Sequence, residues 1–158
     1  MPVLYPHKIV PSDVIPQAQR FSDIAHDVTT ELIDTTSICM TYSNDQFVIK
    51  LGYCDFWHCS PYVFVDGFYT ANFRGAEKDS DISCRDIHLL QKPLPGIGVA
   101  LFSKLLDFCH AHGVHRIVLL PLQKTKSVYF YQQLPMYFPN VISAVSLMDI
   151  WSILVDLK

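Results

Sequence analysis

The chain is short of charge, of glycine and of long apolar runs. Only 17% of its 158 residues are charged against 50% hydrophobic, a balance that argues against an extended, solvated polymer. Twelve Lys and Arg face fifteen Asp and Glu, for a net charge of -3, and the basic residues are dispersed. Neither nucleic acid nor an anionic membrane surface has an electrostatic footprint to bind. No apolar run reaches the length of a membrane span, and no basic start leads into a signal-like apolar segment. A membrane partner is therefore not expected. The cysteines are Cys39, Cys54, Cys59, Cys84 and Cys109, an odd number at irregular spacing. Reduced thiols in a cytoplasmic protein account for that better than a disulfide framework. Internal repeats and low-complexity linkers are also missing, so a single domain over 1–158 is expected, long enough to bury a sizeable core.

What is present falls into an ordered series of elements. Pro2, Pro6, Pro11 and Pro16 leave room for no more than a short edge strand near the start. From Gln17 to Asp34, Phe21, Ile24, Ala25, Val28, Leu32 and Ile33 recur at three- and four-residue steps and predict a helix. Gln46–Leu51 reads as a strand, and the aromatic stretch Tyr53–Tyr62, with its proline, as a loop. Asp66-Gly67, flanked by Tyr62–Val65 and Phe68–Phe73, is the strongest short hairpin signal in the chain. After the polar connection Arg74–Ser80, Ile82–Leu90 reads as a strand running into Pro93-Leu94-Pro95-Gly96-Ile97-Gly98. A helix follows from about Gly98 to His112, with Leu101, Leu105, Phe108 and Cys109 on one side and Gly113 as its stop. Arg116–Leu120 suits a buried strand, and Ser127–Leu134 a short helix ended by Pro135. Val141–Leu147 and Trp151–Leu157 read as a closing pair of strands.

The chemistry gathers between Asp86 and Pro139. A helix that starts at a glycine turn directly after a strand presents unpaired N–H groups and the positive end of its dipole, which together favour an anion such as phosphate. Architecture alone also explains such glycines, where a turn needs a positive φ.

Gly96 and Gly98, then helix, strand, and Phe130-Tyr131-Gln132-Gln133-Leu134, make a pattern that resembles the acyl-CoA-binding half of the GNAT superfamily of N-acetyltransferases. Its signature is Gln/Arg-x-x-Gly-x-Gly/Ala after a strand, with a Phe-Tyr-x-x-Leu-Gly-Phe helix further on. The resemblance covers roughly the last 70 residues, about two strand–helix units. Pro93 stands where the family has Gln or Arg, Pro135 where it has glycine, and Lys124 where it often has Asn.

The resemblance implies an α/β (α+β) domain: a mixed, mostly antiparallel, centrally splayed sheet flanked by helices. It implies acetyl-CoA as co-substrate and a small-molecule or peptide primary amine as acceptor, attacked directly in a ternary complex. Backbone groups of Gly96, Ile97, Gly98, Val99 and Ala100 would hold the pyrophosphate. N–H groups at Leu89, Leu90 and Gln91 would polarise the thioester, with Lys124 and Ser127 near the CoA phosphates. Tyr131 would protonate the departing thiolate, and Asp86 or His88, on one face of their strand, would take the amine's proton. Family members often dimerise, so a homodimer is also implied.

Alternatives remain open. Pro93 and Pro95 point to a binding module of the same fold with degraded catalysis, because proline supplies no N–H donor. The aromatic zone from Tyr53 to Phe73 could line an acceptor pocket, bind a protein partner, or simply pack in the core. Cys54, His58 and Cys59 are metal-ligand types, yet their spacing matches no strong zinc pattern, and a Cys–His nucleophile has only composition behind it. No metal site is expected.

Overall fold

The computed structural model of the protein describes residues 20–43, 45, 48–70, 94–119, 126–147 and 152–158. It is an α+β structure organised on a seven-stranded sheet in the order β1-β2-β3-β4-β5-β7-β6. The strands are β1 Val28–Ile33, β2 Ser37–Ser43, β3 Val48–Cys59, β4 Tyr62–Thr70, β5 Arg116–Leu119, β6 Val141–Leu147 and β7 Ser152–Leu157. All neighbours pair antiparallel except β4 and β5, which run parallel. The helices are α1 Ile97–Ala111, α2 Lys126–Gln132 and the single turn α3 Leu134–Tyr137. None among the described residues is long and apolar enough to cross a membrane.

The expected helix over Gln17–Asp34 is not found in the described part of that range. Two 3-10 turns, Phe21–Asp23 and Ala25–Asp27, lead instead into β1. The physical reason lies in Val28, Thr29, Thr30 and Ile33, whose branched side chains lose rotamer freedom in a helix and suit a pleated strand. Strand β1 pairs with β2 along its whole length, from Val28 opposite Tyr42 to Ile33 opposite Ser37. Asp34 and Thr35, at φ 53 and 56, make the tight turn between them, closed by the Thr36 N–H donating to the Ile33 carbonyl at 3.1 Å.

Two further expectations are corrected between Tyr53 and Thr70. The aromatic stretch read as a loop is strand β3, with Cys54 and Phe56 buried, and the chain reverses at Ser60-Pro61, whose peptide bond is cis. Asp66-Gly67 is no turn but the middle of β4, opposite Asp55 and a bulge at Asp55/Phe56. Glycine is needed there because the Tyr69 ring covers it: a Cβ on Gly67 would stand 2.6 Å from Tyr69 Cε2.

The second half follows its pattern more closely. Helix α1 begins at Gly96 (φ 100) and ends before Gly113 (φ 65), both in the left-handed region that glycine enters freely. Its Ile97, Leu101, Leu105 and Cys109 are buried against the sheet, whose matching face offers Phe56, Val63, Val65, Ile117, Ile153 and Val155. Pro135 does not end a helix; it lies in the first turn of α3, where a missing N–H costs nothing. The strand expected over Ile82–Leu90 lies outside the described residues.

Candidate functional site

Among the described residues the parallel pair at the centre of the sheet spans four residues of each strand. Tyr62–Val65 pair with Arg116–Leu119, and Asp66–Thr70 continue β4 beyond the last β5 partner. Past that point the Phe68 ring lies 6.1 Å from Phe130 in a stacked arrangement and 5.9 Å from Tyr131 edge-on, both carried by α2. Phe102 of α1 stands 5.9 Å from Phe68 on the same cluster. So α1 and the aromatic pair of α2 meet beside this part of β4.

The glycine turn reaches the same place. A Cβ on Gly98 would be 3.4 Å from Phe130 Cζ, and one on Gly96 would be 3.2 Å from Phe21 Cβ. Phe21 also donates its N–H to the Pro95 carbonyl at 2.8 Å, which ties the turn to the first 3-10 segment. Gly96 has no side chain to cap α1, and its carbonyl accepts the Ala100 N–H at 3.0 Å. The amides of Ile97, Gly98 and Val99 are the leading donors of the helix and point out of its first turn. Ile97 is fully buried, whereas Gly98, Val99 and Ala100 are half-buried.

Tyr131 is 4% exposed. Burial pushes its phenol well above the ordinary value, with smaller contributions from the Cys54 thiol and the Tyr69 phenol. It stays protonated throughout neutral pH, so its O–H is available as a hydrogen-bond donor or acid there and not as a base. Burial likewise raises the Cys54 thiol, helped by Asp55 and Cys109, and lifts Cys109 to about 12. Neither buried thiol has the thiolate character a nucleophile needs.

The expected site residues are thus brought together only in part. Gly98 meets Phe130, whose ring lies 5.5 Å from that of Tyr131, whereas Gly96 meets Phe21. Ile97, Val99 and Ala100 share the first turn of α1 with Gly98. Ser127 lies in the first turn of α2, and its side chain is outside the described residues. Asp86, His88, Leu89, Leu90, Gln91 and Lys124 also lie outside them. Phe68 and Phe21 were not marked by any motif, and only the general aromatic density around Phe68 could have signalled its part.

A polar group missed by sequence reading sits on β2 and β3. Ser37, 8% exposed, donates its hydroxyl to Asp55 Oδ1 at 3.1 Å and lies 3.0 Å from the Tyr53 hydroxyl. Asp55 stands opposite Gly67, one residue from Phe68. The residues are too far apart in the chain for spacing to reveal them.

The ligand-type residues between Cys54 and Cys59 do not converge. Cys54 is buried and Cys59 exposed, while His58 packs edge-on against Phe108 and His112 at 5.6 and 5.5 Å. Among the described residues no three His, Cys, Asp or Glu gather about one point.

The fold and this cluster define an α+β protein with a mostly antiparallel sheet and a glycine-led helix after its central strand. No protein-family model matches the chain, and no curated protein sequence matches it.

Proposed function

We propose that the protein is a GNAT-type N-acyltransferase that moves an acetyl or other short acyl group from acetyl-CoA to a primary amine. The observation that carries the reading is the meeting of three parts beside β4: the start of α1 at Gly96–Gly98, Phe68, and the Phe130-Tyr131 pair. The strand order and the single parallel pair support it, as do the leading amides of α1.

In this reading the amides of Ile97, Gly98 and Val99 hold the CoA pyrophosphate, aided by the helix dipole. Acetyl-CoA brings the thioester. The neutral amine attacks the thioester carbonyl carbon, forming the C–N bond, and the C–S bond breaks as the tetrahedral adduct collapses. The nitrogen gives up a proton and the sulfur receives one. Tyr131, kept protonated by burial, donates its O–H to the sulfur as charge develops there. Asp86 or His88 is the proposed base from sequence. Asp55, held by the Ser37 hydroxyl, is a second carboxylate for that role.

A catalytically degraded binding module of the same fold is favoured by one observation: the glycines already meet Phe21 and Phe130 of the chain itself. Close packing of aromatics then suffices to explain them. Calorimetric titration with acetyl-CoA separates the readings from architecture alone. Micromolar binding with turnover of a simple amine supports the enzyme, binding without turnover supports the module, and no binding removes both.

A further inference from the structure

The end of α1 and the last residues of β3 meet through a group of rings. His58 shares a face of β3 with Phe56, two residues back along the strand, and both pack on Phe108 of α1, at 5.6 and 4.9 Å. His112, at the C-terminal cap of α1, stacks on Phe108 at 4.0 Å with the ring planes 21° apart. The two imidazoles then stand 5.5 Å apart, centroid to centroid, with their planes at 77°. Both histidines are exposed.

That separation suits a shared ion. A zinc–nitrogen bond of about 2.1 Å puts the metal about 3.2 Å from the ring centre, so two imidazoles at a tetrahedral angle hold their centroids about 5.2 Å apart. His112 Nδ1 lies 2.9 Å from the Phe108 carbonyl oxygen. A carbonyl only accepts, so the neutral ring carries its proton on Nδ1 and keeps the lone pair on Nε2. A hydrogen bond of this kind is what fixes the tautomer and orientation of a metal-ligating histidine. The position adds a favourable field, because the last carbonyls of a helix carry partial negative charge and attract a cation.

We infer that His58 and His112 form a two-imidazole site for a divalent transition-metal ion of the zinc class. His112 binds through Nε2 and His58 through one ring nitrogen. Among the described residues no third His, Cys, Asp or Glu joins them, so water fills the remaining positions. Mg2+ and Ca2+, which prefer carboxylate and carbonyl oxygen, are not held by imidazole nitrogen. The bound ion ties β3 to the end of α1 and stabilises the folded chain by mass action. The site lies at the opposite end of α1 from the glycine turn and does not depend on the acyltransferase reading.

Calorimetric titration with Zn2+ alone tests the assignment, at a pH above the ordinary imidazole value of about 6.5. The wild type should bind one Zn2+ saturably in the micromolar range, and its melting temperature should rise with Zn2+ but not with Mg2+. His58→Ala and His112→Ala should each weaken binding by about tenfold or more and lose the thermal shift, with unchanged far-UV spectra. His110→Ala removes an exposed imidazole of the same helix, and Cys59→Ser the exposed thiol beside His58; both should bind as the wild type does. A wild type that binds no Zn2+ below millimolar concentrations would overturn the proposal. So would undiminished binding by the two histidine variants, or loss of binding in Cys59→Ser.

Discussion

The Phe130 ring closes over Gly98, with its Cζ 3.4 Å from where a Cβ would stand. That distance is ordinary van der Waals contact, so alanine fits without displacing the ring. Gly98→Ala should fold normally and gain up to about 1 kcal/mol from helix propensity, measured by urea unfolding. Gly98→Trp must push Phe130 away from Phe68, and acetyl-CoA binding in the calorimeter should be lost with it. Equal binding by both variants would show that the ligand does not approach this turn.

Tyr131 reports on chemistry apart from binding. Tyr131→Phe keeps the ring that packs edge-on against Phe68 and removes only the hydroxyl. In the acyltransferase reading, kcat should fall by roughly 10²-fold or more, with acetyl-CoA affinity retained. An unchanged kcat would assign Tyr131 to packing. Asp55→Asn should lower kcat with acetyl-CoA affinity retained if that carboxylate takes the amine's proton; an unchanged kcat would remove it from the role.

Gly67 is constrained by a different neighbour. A Cβ there would stand 2.6 Å from Tyr69 Cε2, so Gly67→Ala must displace a buried ring. The expected cost is about 1–3 kcal/mol in urea unfolding. If the ring is the cause, Gly67→Ala should cost much less when Tyr69 is already alanine. Equal costs in both backgrounds would move the explanation to the backbone.

Alkaline pH should unfold the protein earlier than its composition alone would suggest. Cys109 rises from 9.0 to about 12 on folding, and Cys54 and Tyr131 rise as well, all chiefly through burial. A raised acid binds its proton more tightly in the native state, so its contribution is complete below the unfolded pKa. It is lost as pH climbs towards the folded value. Between pH 9.0 and about 12, Cys109 should therefore steepen the fall in stability by up to about 1.4 kcal/mol per pH unit. Cys109→Ala should flatten that fall, as followed by thermal melts across the range.

Some of this was legible before any coordinates. Helix α1 announced itself through Leu101, Leu105 and Cys109 at helical spacing, with glycine at both ends, because helix period and caps are local properties. Strands β5, β6 and β7 were visible as short runs rich in branched side chains. Strand β1 was not, since Phe21, Ile24, Val28 and Leu32 also fall at helical steps; pairing with Ile38–Tyr42 decided the matter. Asp66-Gly67 misled for a related reason. Glycine before an aromatic can mark a turn or a place where a ring lies on the backbone, and only the position of Tyr69 distinguishes them.

The candidate site divides the same way. The glycine turn and the Phe-Tyr pair are contiguous motifs and could be named from the chain. That Gly98 meets Phe130, that Phe68 lies between α1 and α2, and that Ser37 bonds Asp55 depend on residues distant in sequence.

By itself, then, the amino-acid order determined the local pieces: where α1 begins and ends, which runs are strand-forming, and which residues carry chemistry. Tertiary structure alone decided the sheet order, the parallel pairing of β4 with β5, and which face of β3 and β4 is buried. The reason is physical. Capping and periodicity act over a few residues, whereas strand pairing and ring packing are settled by long-range contacts that no local spacing encodes.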